Sequence, residues 1–338
     1  MTTTTARLAN RISDPASFLQ PIEAELHLIE KIICESLTSS VKTVADISEH
    51  ILDAGGKRLR PSLVALSASA CPGDYAMEKM VNIAAAAEIV HMATLIHDDV
   101  VDSAELRRGK PTANSHWGNQ ISVLTGDYMV AKAFSILSMH GNMKIMQVLS
   151  EATVAMTEGE IRQIETRGDI HAQMGSYLTV IHGKTAAFIS VCCRVGAILN
   201  DCDSETEKAI SQYGLNLGMA FQITDDVLDL IGEPAVTGKP VGGDIREGKI
   251  TIPLILALER SNASDRTALE TILSSSEVSS TDIAFARKIA EETGALEGAR
   301  NSASEFLDQA IKELSILPKT EARNSLEELA HYVLNRER

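Results

Sequence analysis

Aromatic side chains are scarce, at 4% of 338 residues with a single tryptophan, which excludes a stacking platform for nucleic-acid bases and leaves an aliphatic core. Only nine prolines occur and β-branched alternation is rare, so little in the chain favours strands. Positive charge is also short. With 31 basic against 46 acidic groups, the formal charge is −15, the wrong sign for general adhesion to nucleic acid or an anionic membrane. The five cysteines (Cys34, Cys71, Cys192, Cys193, Cys202) include no CxxC pair and no interleaved histidine, so they read as reduced thiols rather than as zinc ligands. No signal-peptide core follows Met1. The apolar windows near 121–139 and 178–199 are broken by Asp127 and Lys132, and by His182, Lys184 and Arg194. A soluble, cytoplasmic protein without a transmembrane segment is therefore expected.

What the chain does have is apolar residues at spacings of three and four almost throughout, the period of helices. Stretches of about 20–53, 62–70, 78–101, 119–139, 143–165, 173–199, 204–231 and 251–260 read as helical, with further pieces from 265 onward. Ser204-Glu205-Thr206-Glu207 has the form of a capping box. No Gly-, Ser- or Pro-rich linker divides the chain and no short repeat appears. The expectation is one all-α domain over residues 1–338, a large helical bundle with a polar mouth.

That bundle carries an electrostatic anomaly. Asp98-Asp99-Val100-Val101-Asp102 closes one apolar helix, and Asp225-Asp226-Val227-Leu228-Asp229 closes another 127 residues later. Three carboxylates at the negative end of a helix dipole repel one another unless a cation sits there. An all-oxygen donor set without His or Cys favours a hard ion, and Mg²⁺ is the plausible one, leaving positions for water and phosphate. Cations gather in the same parts of the chain: Lys57, Arg58 and Arg60 beside Gly55-Gly56, Arg107-Arg108-Gly109-Lys110, Lys184-Thr185, Gly238-Lys239 and Gly248-Lys249. Guanidinium groups, Mg²⁺ and glycine-exposed amides together suit a diphosphate.

The ordered set GGKRLRP (55–61), LIHDDVVD (95–102), LRRGKPT (106–112), GKT (183–185), FQITDDVLD (221–229) and GKPVGGDIREGKIT (238–251) resembles the trans-prenyltransferases, the polyprenyl diphosphate synthases. The resemblance covers about residues 50–255. It implies antiparallel helices around a deep central cavity, a homodimer, and head-to-tail joining of isopentenyl diphosphate to an allylic diphosphate. By motif position, Asp98, Asp99, Asp102, Asp225, Asp226 and Asp229 would hold two or three Mg²⁺ on the allylic diphosphate. Arg107, Lys184, Thr185, Gln222, Lys239 and Lys249 would contact that diphosphate, with Lys184 and Lys239 acting in catalysis. Gly56, Lys57, Arg60, His91 and Arg108 would bind isopentenyl diphosphate, and His97 would be structural. One helical turn before Asp98 stand Ala93 and Thr94, both small. Family members that stop at about fifteen carbons close the tunnel with a bulky aromatic at this level or with an insertion in the first Asp motif; this sequence has neither. It thus resembles the long-chain type, making about thirty to fifty carbons for quinone side chains, with transient membrane contact for product release.

Other readings stay open from the residues alone. A short-chain synthase shares the same motifs. A metal-dependent phosphohydrolase would use His91 and His97-Asp98 as an HD-type site, leaving the second Asp cluster unexplained. A terpene cyclase would lack the GGKRLRP site, and a non-catalytic synthase subunit would not need two intact Asp clusters. Residues 243–249 have P-loop-like glycine and lysine spacing, but Ile250 stands where Ser or Thr should bind Mg²⁺ and no strand precedes.

Overall fold

The structure, a computed structural model, describes residues 17–232, 241–275 and 277–334. A 3₁₀ turn, Ser17–Ile22, leads into α1 (Glu23–Ser36), α2 (Lys42–Asp53), α3 (Leu59–Ala70) and α4 (Met77–Val101). After a two-stranded hairpin, β1 (Leu106–Arg107) and β2 (Lys110–Pro111), come α5 (Ala113–Trp117), α6 (Asn119–His140), α7 (Met143–Glu165) and α8 (Met174–Ile181). A π-helical turn, His182–Ala186, joins α8 to α9 (Ala187–Leu199), followed by α10 (Ser204–Ile231) and α11 (Gly243–Arg246). The chain ends with α12 (Ile252–Arg260), α13 (Ala263–Leu273), α14 (Ser280–Glu292), α15 (Ala295–Glu313) and α16 (Glu321–Leu334). Among the described residues the hairpin is the only sheet, so the all-α expectation holds.

Two local expectations are revised. The apolar run of 20–53 is two helices, because Thr38 and Ser39 divert the backbone: Thr38 Oγ1 donates to the Glu35 carbonyl at 2.8 Å and Val41 N donates to Ser39 Oγ at 3.1 Å. At α10 the cap is Asp203 rather than Ser204, accepting from Thr206 N at 2.8 Å, while Glu207 is taken by Lys144 and Arg194.

The helices gather into two compact units, each discontinuous in sequence. The first comprises Met1–Ser150, Val191–Ser211 and Ser315–Glu328. Its centre is α4, against which α1, α3 and α6 pack. Ala84, Ala85, Ala86 and Ala87 are all buried, and their small volume admits neighbours on every side. α4 and Met174–Leu199 are long and apolar enough to cross a membrane by composition, but 72% and 61% of those windows are buried in the fold. Close approach recurs between α9 and α3. A Cβ on Gly196 would lie 2.5 Å from Ala68 N, and Asn200 Nδ2 donates to the Ala68 carbonyl at 2.9 Å. Gly196→Ala should therefore cost about 1–3 kcal/mol, seen as a lower Tm in thermal denaturation; an unchanged Tm would show that the backbones part freely.

The second unit comprises Glu151–Ser190, Gln212–Leu314 and Leu329–Arg338. In it α12, buried from Ile252 to Leu258, packs on α15, α14 and α8.

Candidate active site

In the first unit, α4 delivers the first acidic cluster to its own C-terminus, where Asp102 is the cap residue. Asp98 and Asp102 lie one turn apart on a shared face. Asp99 is buried and already engaged: Arg107 Nε donates to its two oxygens at 2.9 and 3.1 Å, and Nη2 stands 2.8 Å from Oδ1. The six carboxylates expected to act alike are thus differentiated, with Asp99 holding Arg107. That arginine is placed by the hairpin, whose turn residues Arg108 (φ 52°) and Gly109 (φ 74°) both have the positive φ that tight hairpins require.

The hairpin is also tied to the glycine turn at 55–56. Arg108 Nη1 donates to the Gly55 carbonyl, Lys110 Nζ to the Asp53 carbonyl at 2.7 Å, and His50 Nε2 to the Pro111 carbonyl at 2.7 Å. Gly56 lies close beside Arg108, since a Cβ there would sit 3.1 Å from Arg108 Nη1 and the guanidinium would have to shift. Beside this turn is His91. Desolvation, reinforced by Arg60, Arg107, Arg108 and Arg58, holds its imidazole well below the ordinary pKa, so it is neutral at pH 7. Gly56, Arg60, His91 and Arg108 are thereby assembled in a strongly positive setting, with Lys57 exposed at its edge. This suits an anion without a metal of its own. It does not suit a metal-binding histidine pair, because His97 is tied instead to α6, 3.2 Å from the Val123 carbonyl and 3.4 Å from Asp127.

In the second unit, α10 ends on the second acidic cluster. Asp226 is buried and doubly bonded, accepting from Tyr177 Oη at 2.7 Å and from Gln222 Nε2 at 2.8 Å, while Gln222 Oε1 accepts from Thr185 Oγ1 at 2.8 Å. Burial, with repulsion from Asp225 and Asp229, pushes Asp226 up to about 7 despite those bonds. Asp229 accepts from Asp244 N at 3.0 Å, and Asp244, missed from sequence, is pushed well up by desolvation and by Asp229 and Asp226. Its signal is the Asp of GGD, which composition alone gives no reason to join to Asp229.

A carboxyl raised in the folded state binds its proton there more tightly than in the unfolded chain. Metal-free protein should consequently lose stability relative to Asp226→Asn as pH rises from the ordinary 3.8 to about 7. Parallel Tm–pH curves for the two proteins would contradict the assignment.

Lys184 and Thr185 sit in the π-helical turn, a distortion that sequence periodicity does not show. Glycine lets α7 approach this turn closely: a Cβ on Gly159 would lie 2.4 Å from Lys184 N, and one on Gly183 would lie 2.9 Å from the Ala155 carbonyl. Such close packing of α7 brings Glu160 and Gln163 to Lys184, whose Nζ pairs with Glu160 and donates to Gln163 Oε1 at 2.6 Å. Lys249 is paired with Glu247. One cavity in this unit is lined by Gln163, Tyr177, Lys184, Thr185, Asp226 and Lys249 together with Gln222. Lys239 lies outside the described residues.

Among the described residues no three acidic, histidine or cysteine side chains are pre-gathered as a metal cage. The donor set nevertheless fits a hard cation: beyond burial, Asp226 is raised by Asp225 and Asp229 and Asp244 by Asp229 and Asp226, and a divalent ion would relieve that repulsion.

Comparison with known proteins agrees with this donor chemistry. A family model described as Polyprenyl synthetase matches residues 41–290. Octaprenyl diphosphate synthase of Escherichia coli is 37% identical, over 90% of this chain and 94% of its own. Heptaprenyl diphosphate synthase component 2 of Bacillus subtilis is 36% identical, over 91% of this chain and 87% of its own. The crystal structure of a polyprenyl synthase from Caulobacter crescentus, complexed with calcium and isoprenyl diphosphate, superposes with a TM-score of 0.91 at 35% identity, covering 96% of this chain and all of that one. These neighbours share the all-α isoprenoid synthase fold. Two acidic helix ends, a cationic turn and a family match across most of the sequence lead to one assignment: the chain belongs to the polyprenyl synthetase family.

Proposed function

We propose that the protein is a Mg²⁺-dependent trans-polyprenyl diphosphate synthase, joining isopentenyl diphosphate head-to-tail to an allylic diphosphate to make a product of about thirty to fifty carbons, as its hepta-, octa- and nonaprenyl relatives are named. The carrying observation is the cationic turn around neutral His91, which offers a site for a second diphosphate in addition to the acidic helix ends. A phosphohydrolase or cyclase would have no use for it.

In this reading Asp98 and Asp102 of the first unit, and Asp225 and Asp229 of the second, would hold Mg²⁺, two or three ions in all, with Asp226 and Asp99 set by their hydrogen bonds. Bound Mg²⁺ would neutralise charge on the departing diphosphate. Arg107, Lys184, Thr185, Gln222, Lys239 and Lys249 bind the allylic diphosphate. Three of these cations are already matched to carboxylates (Arg107 with Asp99, Lys184 with Glu160, Lys249 with Glu247), so they share or exchange partners when diphosphate arrives. As the allylic C–O bond breaks, its electron pair goes to the diphosphate. The isopentenyl double bond then attacks the allylic carbon, and the proton lost from the new chain goes to a diphosphate oxygen. His91, neutral and desolvated, orients isopentenyl diphosphate by hydrogen bonding.

Lys57→Ala and Arg60→Ala are expected to raise the KM for isopentenyl diphosphate by about tenfold or more, with far smaller effects on the allylic primer, because each removes a charge-assisted contact to one anion. Steady-state kinetics varying each substrate in turn checks this; equal effects on both would contradict a separate site. One polyprenyl synthase domain, which a family match running unbroken over 41–290 supports, a homodimer, cytoplasmic location and transient membrane contact during release complete the proposal.

A further inference from the structure

Arg58 stands between Lys57 and Arg60, yet its guanidinium is buried. Nε and Nη2 fork onto Glu30 at 2.9 and 3.0 Å, and Nη1 donates to Glu88 at 3.1 Å. Glu30 comes from α1 and Glu88 from α4, and both are almost fully enclosed. Three elements far apart in sequence thus meet on one planar group, a geometry that lysine cannot reproduce.

The backbone is pinned at the same residue. Arg58 is left-handed (φ 49°, ψ 37°), a conformation disfavoured for a residue with a Cβ, and its carbonyl accepts from Ser62 N at 3.1 Å and Ser62 Oγ at 2.8 Å to start α3. Here, between Lys57 and Arg60, the chain enters α3. Charge points the same way. Two carboxylates against one guanidinium leave a negative excess, and Glu88, one turn before His91 on α4, keeps its Oε2 buried without a hydrogen-bond partner. Desolvation and the neighbouring Arg107, Arg58 and Arg60 disfavour the Arg108 charge, and Glu88 favours it.

We propose that Glu30, Arg58 and Glu88 form a positioning element of the isopentenyl diphosphate site, holding Lys57, Arg60 and Arg108 in place for that anion without touching it. The inference rests on the assignment of the cationic turn to isopentenyl diphosphate. Buried ion pairs add little net stability over apolar replacements, so a role in geometry is the more natural reason for this one.

The test compares the parent with Glu88→Gln, with Arg58→Lys, and with the triple variant Glu30→Gln, Arg58→Met, Glu88→Gln, which leaves no uncompensated buried charge. The KM for isopentenyl diphosphate should rise about tenfold in each, with kcat and the KM for the allylic primer within about twofold of the parent, and Arg58→Lys should give no rescue. Isothermal titration with isopentenyl diphosphate and with inorganic diphosphate, without divalent metal, should show the same loss of affinity. A folded variant with parental affinity and KM, or equal rises for both substrates, would overturn the proposal. If either single variant failed to fold, the triple variant decides by the same readouts. Failure of the underlying functional reading looks different: the parent itself would then neither bind isopentenyl diphosphate nor elongate a primer.

Discussion

Asp98→Ala and Asp225→Ala should each reduce turnover by about 10² to 10³ or more while leaving the helices intact. In the proposed reaction each carboxylate would act, through bound Mg²⁺, where negative charge develops on the leaving diphosphate, so its loss should fall on the transition state rather than on substrate affinity. Stability should move in the opposite direction. Asp98 and Asp225 stand at the negative ends of α4 and α10 among like charges, and removing one relieves repulsion. Metal-free variants should therefore melt no lower than the metal-free parent, whereas the parent alone should gain strongly from added Mg²⁺. Near-parental turnover in either variant would remove the metal assignment, and a variant that melts well below the parent would show a structural carboxylate instead.

Thr94→Phe should shorten the product, and Ala93→Phe should do so at some cost in stability. Both residues lie on α4 one turn before Asp98, where a chain anchored at the acidic end would begin its passage. Thr94 is half-buried with Oγ1 donating to the His91 carbonyl at 2.8 Å, so a phenyl ring there adds bulk on a partly open face. Ala93 is fully buried, and its replacement must also displace packed neighbours, at about 1–3 kcal/mol. Chromatography of dephosphorylated products separates the outcomes. Shorter chains with both variants, or with Thr94→Phe alone, support a passage along this helix; unchanged length in both contradicts it.

The helices are legible in the sequence because their apolar period is intrinsic to each segment, and the acidic ends because three crowded carboxylates at the negative end of a helix dipole stand out from an apolar run. The long helix α4 can be read almost to its ends for this reason. Partnerships are another matter. That Asp99 belongs to Arg107, Asp226 to Tyr177 and Lys184 to Glu160 depends on hairpin, helix and π-turn geometry, which spacing does not encode. Arg58 is the least legible of all. Among the basic residues of two short motifs it looks like another phosphate ligand, and only Glu30 and Glu88, 28 and 30 residues away, show it turned into the core.

The most direct measurement incubates the purified protein with Mg²⁺, labelled isopentenyl diphosphate and geranyl or farnesyl diphosphate, and follows both diphosphate release and product length. Release that requires isopentenyl diphosphate, with labelled chains of about thirty to fifty carbons, is the predicted result. Release from the allylic substrate alone, or products that end at about fifteen or twenty carbons, would contradict a long-chain synthase.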